Sequence, residues 1–472
     1  MAACVPYLPG QTELLSNLAS SISILIDHGA DIELQDAQGC TPLHLAASSG
    51  QLETIRCLLE NKASIHAVDL GQLTPLHHAV KRGDHQAVQI LIGFNADIGS
   101  RDDKLLAPIH YASKHGHIQV LHCLISQGAD LEAICLEKMT PLHYAVIHGH
   151  SEVVKLLLSR GVNVNTVDMD QSTPLHYAAS EGNTEIVKSL ITRGALFDVV
   201  DNEDMLAMHH AAEYGHYPVI QILIDFGNDI DCKSHLGLTA LHYAAKHDQR
   251  LDQRETVVFL VEHGADIKAV AADELSPLHH AVQQEEWETV NLLIQHGVDI
   301  NIAGHNQWTP LHCASADGQL KTVMALCQLG ADTNLLTKNA STALHIATWH
   351  GNLDICKFLV YNTPQTETLH TEYTPLHLAA WQGKLVVLQA LLNLGLDVNQ
   401  RSKSGWTPLH LATWTGNTEA MELLIRNGAY TEAVCEAYVL RVKLLASRRS
   451  GGGLGESSTP LEYLDSRGEL SL

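Results

Sequence analysis

Thr173-Pro174-Leu175-His176-Tyr177-Ala178-Ala179 is one of twelve copies of a single pattern, and its recurrence decides the fold. Seven copies read Thr-Pro-Leu-His, from Thr41, Thr74, Thr140, Thr173, Thr309, Thr374 and Thr407. Five are variants, from Ala107, Leu206, Thr239, Ser276 and Thr342. Successive starts lie 33 residues apart, except for an interval of 37 after Thr239 and one of 32 after Thr342. A fixed period of this size predicts stacked copies of one small unit rather than a closed globule.

Each position has a physical reading. Thr suits a helix N-cap, where its hydroxyl can accept an orphan amide. Pro beside it sits where a missing N–H costs nothing. The small residues that follow, such as Ala178-Ala179, let a short helix pack closely. Gly at the tenth position, as in Gly50, Gly182 or Gly416, closes that helix. A second apolar-periodic stretch follows, for example Glu152-Val153-Val154-Lys155-Leu156-Leu157-Leu158. Another Gly, as in Gly161 or Gly194, ends it. The remaining residues are polar, with Asp and Gly, and suit a hairpin-like loop. One unit is too small to bury its apolar face alone, so stability accumulates at the interfaces between neighbours.

The pattern T-P-L-H-x-A-A, with its trailing Gly and second helix, resembles the ankyrin repeat over roughly residues 20–435. The resemblance implies an all-α solenoid of helix-turn-helix units joined by hairpin-like loops. Helices packed about 10 Å apart would make twelve units a rod on the order of 120 Å long. The expected organisation is an N-terminal cap and partial repeat in 1–36, twelve repeats in 37–435, and a C-terminal cap helix and tail in 436–472. Thr459-Pro460-Leu461-Glu462 in that tail also reads as an interrupted thirteenth repeat.

Composition limits the function. Fifty-three acidic residues against 29 basic ones give a formal charge of −24, which argues against nucleic acid as a partner. No apolar run approaches the roughly 18 residues needed to cross a bilayer. The start, Met1-Ala2-Ala3-Cys4-Val5-Pro6, lacks the charged and apolar segments of a secretory signal. The ten cysteines are scattered with no C-x-x-C pair, which fits buried free thiols in a reducing compartment, cytoplasmic or nuclear. Asn339-Ala340-Ser341 is then expected to go unglycosylated. Thirty-one histidines raise a metal reading, yet twelve of them are the fourth motif residue. The resemblance implies that these lock adjacent repeats together. Pairs such as His77-His78 place neighbouring side chains on different helix faces. No metal site and no cofactor are expected.

Two intervals break the register. The long one holds four extra residues within Lys246–Glu255, read as a longer polar loop between two helices. The next repeat has Glu285 in place of its Gly. The short interval runs through Tyr361-Asn362-Thr363-Pro364-Gln365, where Gly-Ala-Asp would be usual. Two soft points are expected, at Lys246–Glu255 and Tyr361–Glu372.

The resemblance places partner contacts at the loop tips and on the concave side of the first helices. Motif positions eight and nine are variable there. This row is basic early, with Lys81, Arg82 and Lys114, and ends in Trp349, Trp381 and Trp414. The residue before the motif adds Trp308, Tyr373 and Trp406. Trp concentrates binding energy because it offers rigid apolar area and one donor. The alternative is packing over the neighbouring loop for the aromatics, and a solvated face for the basic patch. Asn165, Asn301, Asn334 and Asn399 sit eight residues before a motif, with Leu157, Leu293, Leu326 and Leu391 eight residues further back. This resembles the context of asparaginyl hydroxylation in ankyrin repeats, though a structural hairpin Asn has the same look.

No phosphate loop, zinc-protease motif or nucleophile elbow is present, so no enzyme is expected. The expected function is a monomeric scaffold that holds one or more protein partners, without inserting in a membrane. The alternative is the recognition arm of a larger channel, kinase or ubiquitin-ligase adaptor system.

Overall fold

The computed structural model describes residues 21–246, 251–362 and 373–431. Twelve helix pairs occupy these residues, from Pro42–Ser49 with Leu52–Glu60 to Pro408–Thr415 with Thr418–Arg426. A helical stretch at 21–27 precedes them. No strand occurs among the described residues. Residues 1–20 of the expected N-terminal cap and partial repeat, and all of 436–472, lie outside the described residues.

Contacts divide the chain into two units, Met1–Ala272 and Asp273–Leu472. Within each unit, first helices pack on first helices of the next repeat, and second helices on second helices. The second helix in Ser151–Ser159 shows why. Its buried residues, Val153, Val154, Leu157 and Leu158, repeat with helical spacing and form one face. The first helices are buried through motif positions three, six and seven, such as Leu175, Ala178 and Ala179. Small residues there permit close helix approach.

The motif His is the centre of each joint. Its Nδ1 accepts the backbone N–H of the first motif residue at 3.0–3.2 Å in all twelve repeats. The bond forms even from Ala107 and Leu206, which have no hydroxyl. The expected role of Thr is thereby corrected. The Thr74 hydroxyl does accept the His77 amide, at 3.4 Å, whereas the hydroxyls of Thr41, Thr140, Thr173, Ser276, Thr309, Thr342, Thr374 and Thr407 make no such cap. Thr41 Oγ1 lies 2.9 Å from His44 Nδ1, and the other motif hydroxyls lie as close to theirs. The imidazole caps the helix entrance, and the hydroxyl donates to it.

The other ring nitrogen reaches the next repeat. His44 Nε2 is 3.0 Å from the Leu73 carbonyl, His176 Nε2 3.2 Å from that of Met205, and His377 Nε2 2.9 Å from that of Trp406. A nitrogen that accepts an amide N–H carries no proton, so Nδ1 is bare and Nε2–H is the donor. The neutral tautomer is built into the joint.

Hairpin tips add a second joint. Leu70 N–H donates to the Gln38 carbonyl at 3.0 Å, and Asn202 N–H to that of Asp170 at 2.8 Å. Most tips are braced by the side chain of the residue five before the motif, as from Asp36, Asp69, Asp102, Asp168 and Asp201. Asp69 Oδ1 accepts the amides of Gly71 and Leu73, both at 2.9 Å. Its other oxygen takes His78 Nε2–H at 2.9 Å. Asp201 pairs with His210 in the same way, and Tyr111 and Tyr177 donate to Asp102 and Asp168.

The irregular intervals differ partly from expectation. Helix Leu251–Glu262 runs twelve residues, so part of the extra sequence lengthens a helix instead of a loop. Residues 247–250 lie outside the described residues, as do 363–372 of the second soft point, which follows helix Leu353–Asn362. Glu285 adopts the left-handed conformation of the Gly it replaces, φ 62°, at a cost of about 1 kcal/mol.

The histidine joint makes stability depend on pH. Burial holds His77, His110, His176, His209, His279, His312 and His345 down to about 4. In the unfolded chain imidazole titrates near 6.5. The stabilisation is therefore complete above about pH 6.5 and is lost as pH falls toward 4, because the unfolded chain takes up protons first. Each such His adds up to about 1.4 kcal/mol of slope per pH unit in that window. Urea midpoints should fall steeply between pH 7 and pH 5. A flat profile would contradict neutral buried histidines.

Candidate protein-binding surface

The position-eight row lies near the C-terminal end of each first helix. In the second unit, Trp349 and Trp381 are half-buried, as are Trp308, Tyr373 and Trp406 before their motifs. Trp414 is 8 % exposed, so little of its ring is open to a partner. The cause is local. Trp406 and Trp414 stack edge to face with centroids 5.6 Å apart, and Tyr373 and Trp381 do so at 6.4 Å. The pre-motif aromatics also cover their own motif His, at 6.2 Å for Trp308–His312 and 5.6 Å for Trp406–His410. Their carbonyls accept the His of the preceding repeat. Pre-motif and position-eight aromatics thus form pairs within one repeat. Trp349 has Ser341 before its motif and joins no ring pair among the described residues.

The basic patch lies in the first unit. Lys81 Nζ stands 5.3 Å from the Tyr111 ring centroid, and Lys114 Nζ 6.0 Å from that of Tyr144. Each lysine reaches the following repeat. Arg82 reaches back, donating to the Ser48 carbonyl at 3.2 Å. His115 stacks on Tyr111 at 6.5 Å. Burial, then the neighbouring His117 and lysines, hold its pKa below the ordinary histidine value.

The residue after the helix-closing Gly has a role that reading the sequence missed. His117, His150 and His216 donate to the position-eight carbonyls of Lys81, Lys114 and Ser180 in the preceding repeat. Gln319 and Asn352 do the same to Gln283 and Ala316. These carbonyls are unpaired by helix geometry. A Cβ at Gly83 would lie 2.6 Å from the His117 ring, so Gly both takes positive φ and leaves room for the cap. The signal was the recurrence of His, Gln and Asn at this one position.

Three of the candidate asparagines bridge hairpins. Asn165 Nδ2 donates to the Gly194 carbonyl at 3.0 Å, and its Oδ1 accepts Leu196 N–H at 2.9 Å. Asn399 makes the same pair of bonds to Gly428 and Tyr430. Asn301 Oδ1 accepts Asp332 N–H at 2.9 Å. Asn334 occupies the equivalent position and is half-buried.

One trio of metal-ligand side chains, Cys40, Asp69 and His78, lies within 4.8 Å among the described residues. Asp69 and His78 there already satisfy each other, and Asp201 and His210 repeat the pair where no Cys is near. The contact is the tip brace described above. Burial pushes the thiols of Cys232 and Cys313 up to about 12 and keeps them protonated.

The family model for ankyrin repeats, built on three copies, matches residues 14–102, 76–168, 109–201, 162–234, 208–304, 278–369 and 344–434. The chain belongs to the ankyrin-repeat family, as the repeat pattern implied. Among curated proteins, none matches it. Ankyrin repeats are in general protein–protein interaction modules, and this chain carries twelve copies of the motif. No described helix is long and apolar enough to cross a membrane.

The hairpin bridge gives a direct test. Asn165→Ala removes two hydrogen bonds between repeats and leaves the exposed Leu196 amide to water. It should lower stability by about 1–2 kcal/mol, read as a lower urea midpoint. An unchanged midpoint would show that the bridge contributes nothing net.

Proposed function

We propose that this protein is a non-catalytic scaffold that binds partner proteins, and that one binding surface is the aromatic row of the second unit. The observation that carries the reading is the recurrence of half-buried rings at equivalent positions, Trp349 and Trp381, flanked by Trp308, Tyr373 and Trp406. Half-buried Trp and Tyr are held by their repeat yet present an open face. Trp414 serves mainly to seat Trp406. Rings one repeat apart, about 10 Å, match roughly every third residue of an extended segment, which rises about 3.3 Å per residue. Arg or apolar side chains of the partner suit these faces. Lys81, Arg82 and Lys114 form a separate surface of opposite character. The described cysteines are all free, which supports a reducing compartment, cytoplasmic or nuclear.

Removing a hot-spot Trp costs about 2 kcal/mol or more in binding. Quantitative pull-down with the full chain should lose the same set of partners for Trp349→Ala and Trp381→Ala, with melting temperature nearly unchanged. If melting falls sharply and capture follows only the folded fraction, the rings are packing and the reading fails.

Asn165, Asn301, Asn334 and Asn399 are proposed substrates of the asparaginyl hydroxylase that acts on ankyrin repeats. Access requires opening of the hairpin bridge, so the sites on looser tips should react first. Peptide mass spectrometry after co-expression should show one added oxygen on at least one of them. Unmodified peptides at all four would end the proposal.

A further inference from the structure

The hairpin tips of the first unit carry a surface that the aromatic row does not explain. In each tip the residue five before the motif faces inward: Asp102, Cys135, Asp168 and Asp201 are buried. In extended backbone, the neighbours of an inward residue face outward. Positions four and six before the motif therefore form the outer face of a tip.

On three consecutive tips these outer positions hold Ile134 and Leu136, then Val167 and Met169, then Val200 with the polar Asn202. Ile134 is 50 % exposed, Leu136 63 %, Met169 57 % and Val200 42 %. The tips are held in register by the backbone. Met169 N–H donates to the Glu137 carbonyl at 3.1 Å and Asn202 N–H to that of Asp170 at 2.8 Å. Single exposed apolar residues are ordinary on a protein surface, whereas an apolar strip marks an interaction site. No folding requirement places large aliphatics here, since equivalent positions elsewhere hold Asp103, Lys233 or Lys403.

One edge of the strip is acidic. Three residues before the motif stand Glu137, Asp170 and Glu203, all exposed and none in an ion pair among the described residues. Lys138, beside Glu137, is the one cation in the sequence of these three tips, and Arg101 of the preceding tip donates to the Ile134 carbonyl. Carboxylates beside apolar surface attract a cation more strongly once a partner excludes water.

We propose that this apolar strip and its acidic edge form a second docking surface, which takes an amphipathic partner segment carrying aliphatic or aromatic side chains beside Lys or Arg. The proposal rests on the reading of the chain as a protein-binding scaffold, but not on the aromatic row. Tips about 10 Å apart match every third residue of an extended segment or about two turns of a helix. Neutral or acidic apolar segments meet the same aliphatics with no charge match, so partner charge sets the choice.

The test uses the full chain and three labelled synthetic peptides of equal length: an amphipathic Leu/Lys peptide, a Leu/Glu peptide, and a Ser/Lys peptide of the same charge. Fluorescence anisotropy should show the Leu/Lys peptide binding at least about tenfold tighter than either control. Leu136→Ser with Met169→Ser should weaken it about tenfold while melting stays unchanged, because both side chains are exposed. Glu137→Lys with Asp170→Lys and Glu203→Lys should turn the preference toward the Leu/Glu peptide. Trp349→Ala with Trp381→Ala should leave all three affinities as they were, which separates failure of this surface from failure of the aromatic row. Equal binding of the Ser/Lys peptide would reduce the effect to overall charge and overturn the proposal. So would affinities indifferent to the tip variants. Light scattering that shows the wild type self-associated and the tip variants monomeric would assign the strip to a second copy of this chain and overturn it equally.

Discussion

A neutral imidazole that accepts from its own repeat and donates to the next is the interaction on which the stack depends. It satisfies two backbone groups at once, an amide at a helix entrance and a carbonyl in the adjoining hairpin. Both lie in surroundings where an unpaired polar group is costly. Because Nδ1 takes an N–H in every repeat, including the two without a hydroxyl, the proton must sit on Nε2. No other neutral side chain of that size offers an acceptor and a donor on opposite sides of a rigid ring.

Other joints divide the remaining polar groups of each repeat. The residue after the helix-closing Gly caps the exposed carbonyls of the previous first helix. The hairpin Asn or acid bridges to the following tip. The residue five before the motif braces the tip from within. With these groups satisfied inside the stack, the outward positions carry no structural duty. That freedom is what lets one unit present lysines over tyrosine rings and aliphatic tips, and the other half-buried Trp and Tyr.

The helices and their order were legible in the sequence because each repeat states the same pattern, and twelve copies average out local exceptions. The motif histidines were legible as joints, though not their direction: the ring, rather than the Thr hydroxyl, caps the helix. The tip brace was missed. Its signal lay in a matched pair of columns, Asp69 with His78, Asp102 with Tyr111, Asp168 with Tyr177 and Asp201 with His210, replaced by Gly304 with Cys313 and Thr337 with Ile346. Reading along the chain hides such pairs, which lie nine residues apart. Among the aromatics, the sequence located the rings but not the edge-to-face folding of Trp414 onto Trp406, because side-chain direction depends on what stands beside it. The extra residues after Lys246 were read as loop. The part that is described is helix, since Leu251–Glu262 could extend the second helix backward without breaking its hydrogen bonding.

The tautomer of the buried histidines tests the account most directly. Long-range proton–nitrogen correlation spectra of the intact protein, labelled at histidine nitrogen and recorded at pH 7, distinguish Nε2–H, Nδ1–H and doubly protonated rings. The motif histidines should appear as neutral Nε2–H rings that keep that form down to about pH 5, as His176 and His279, held near 4, require. Motif rings found as Nδ1–H, or as imidazolium at pH 7, would contradict the joint and with it the explanation of the repeat.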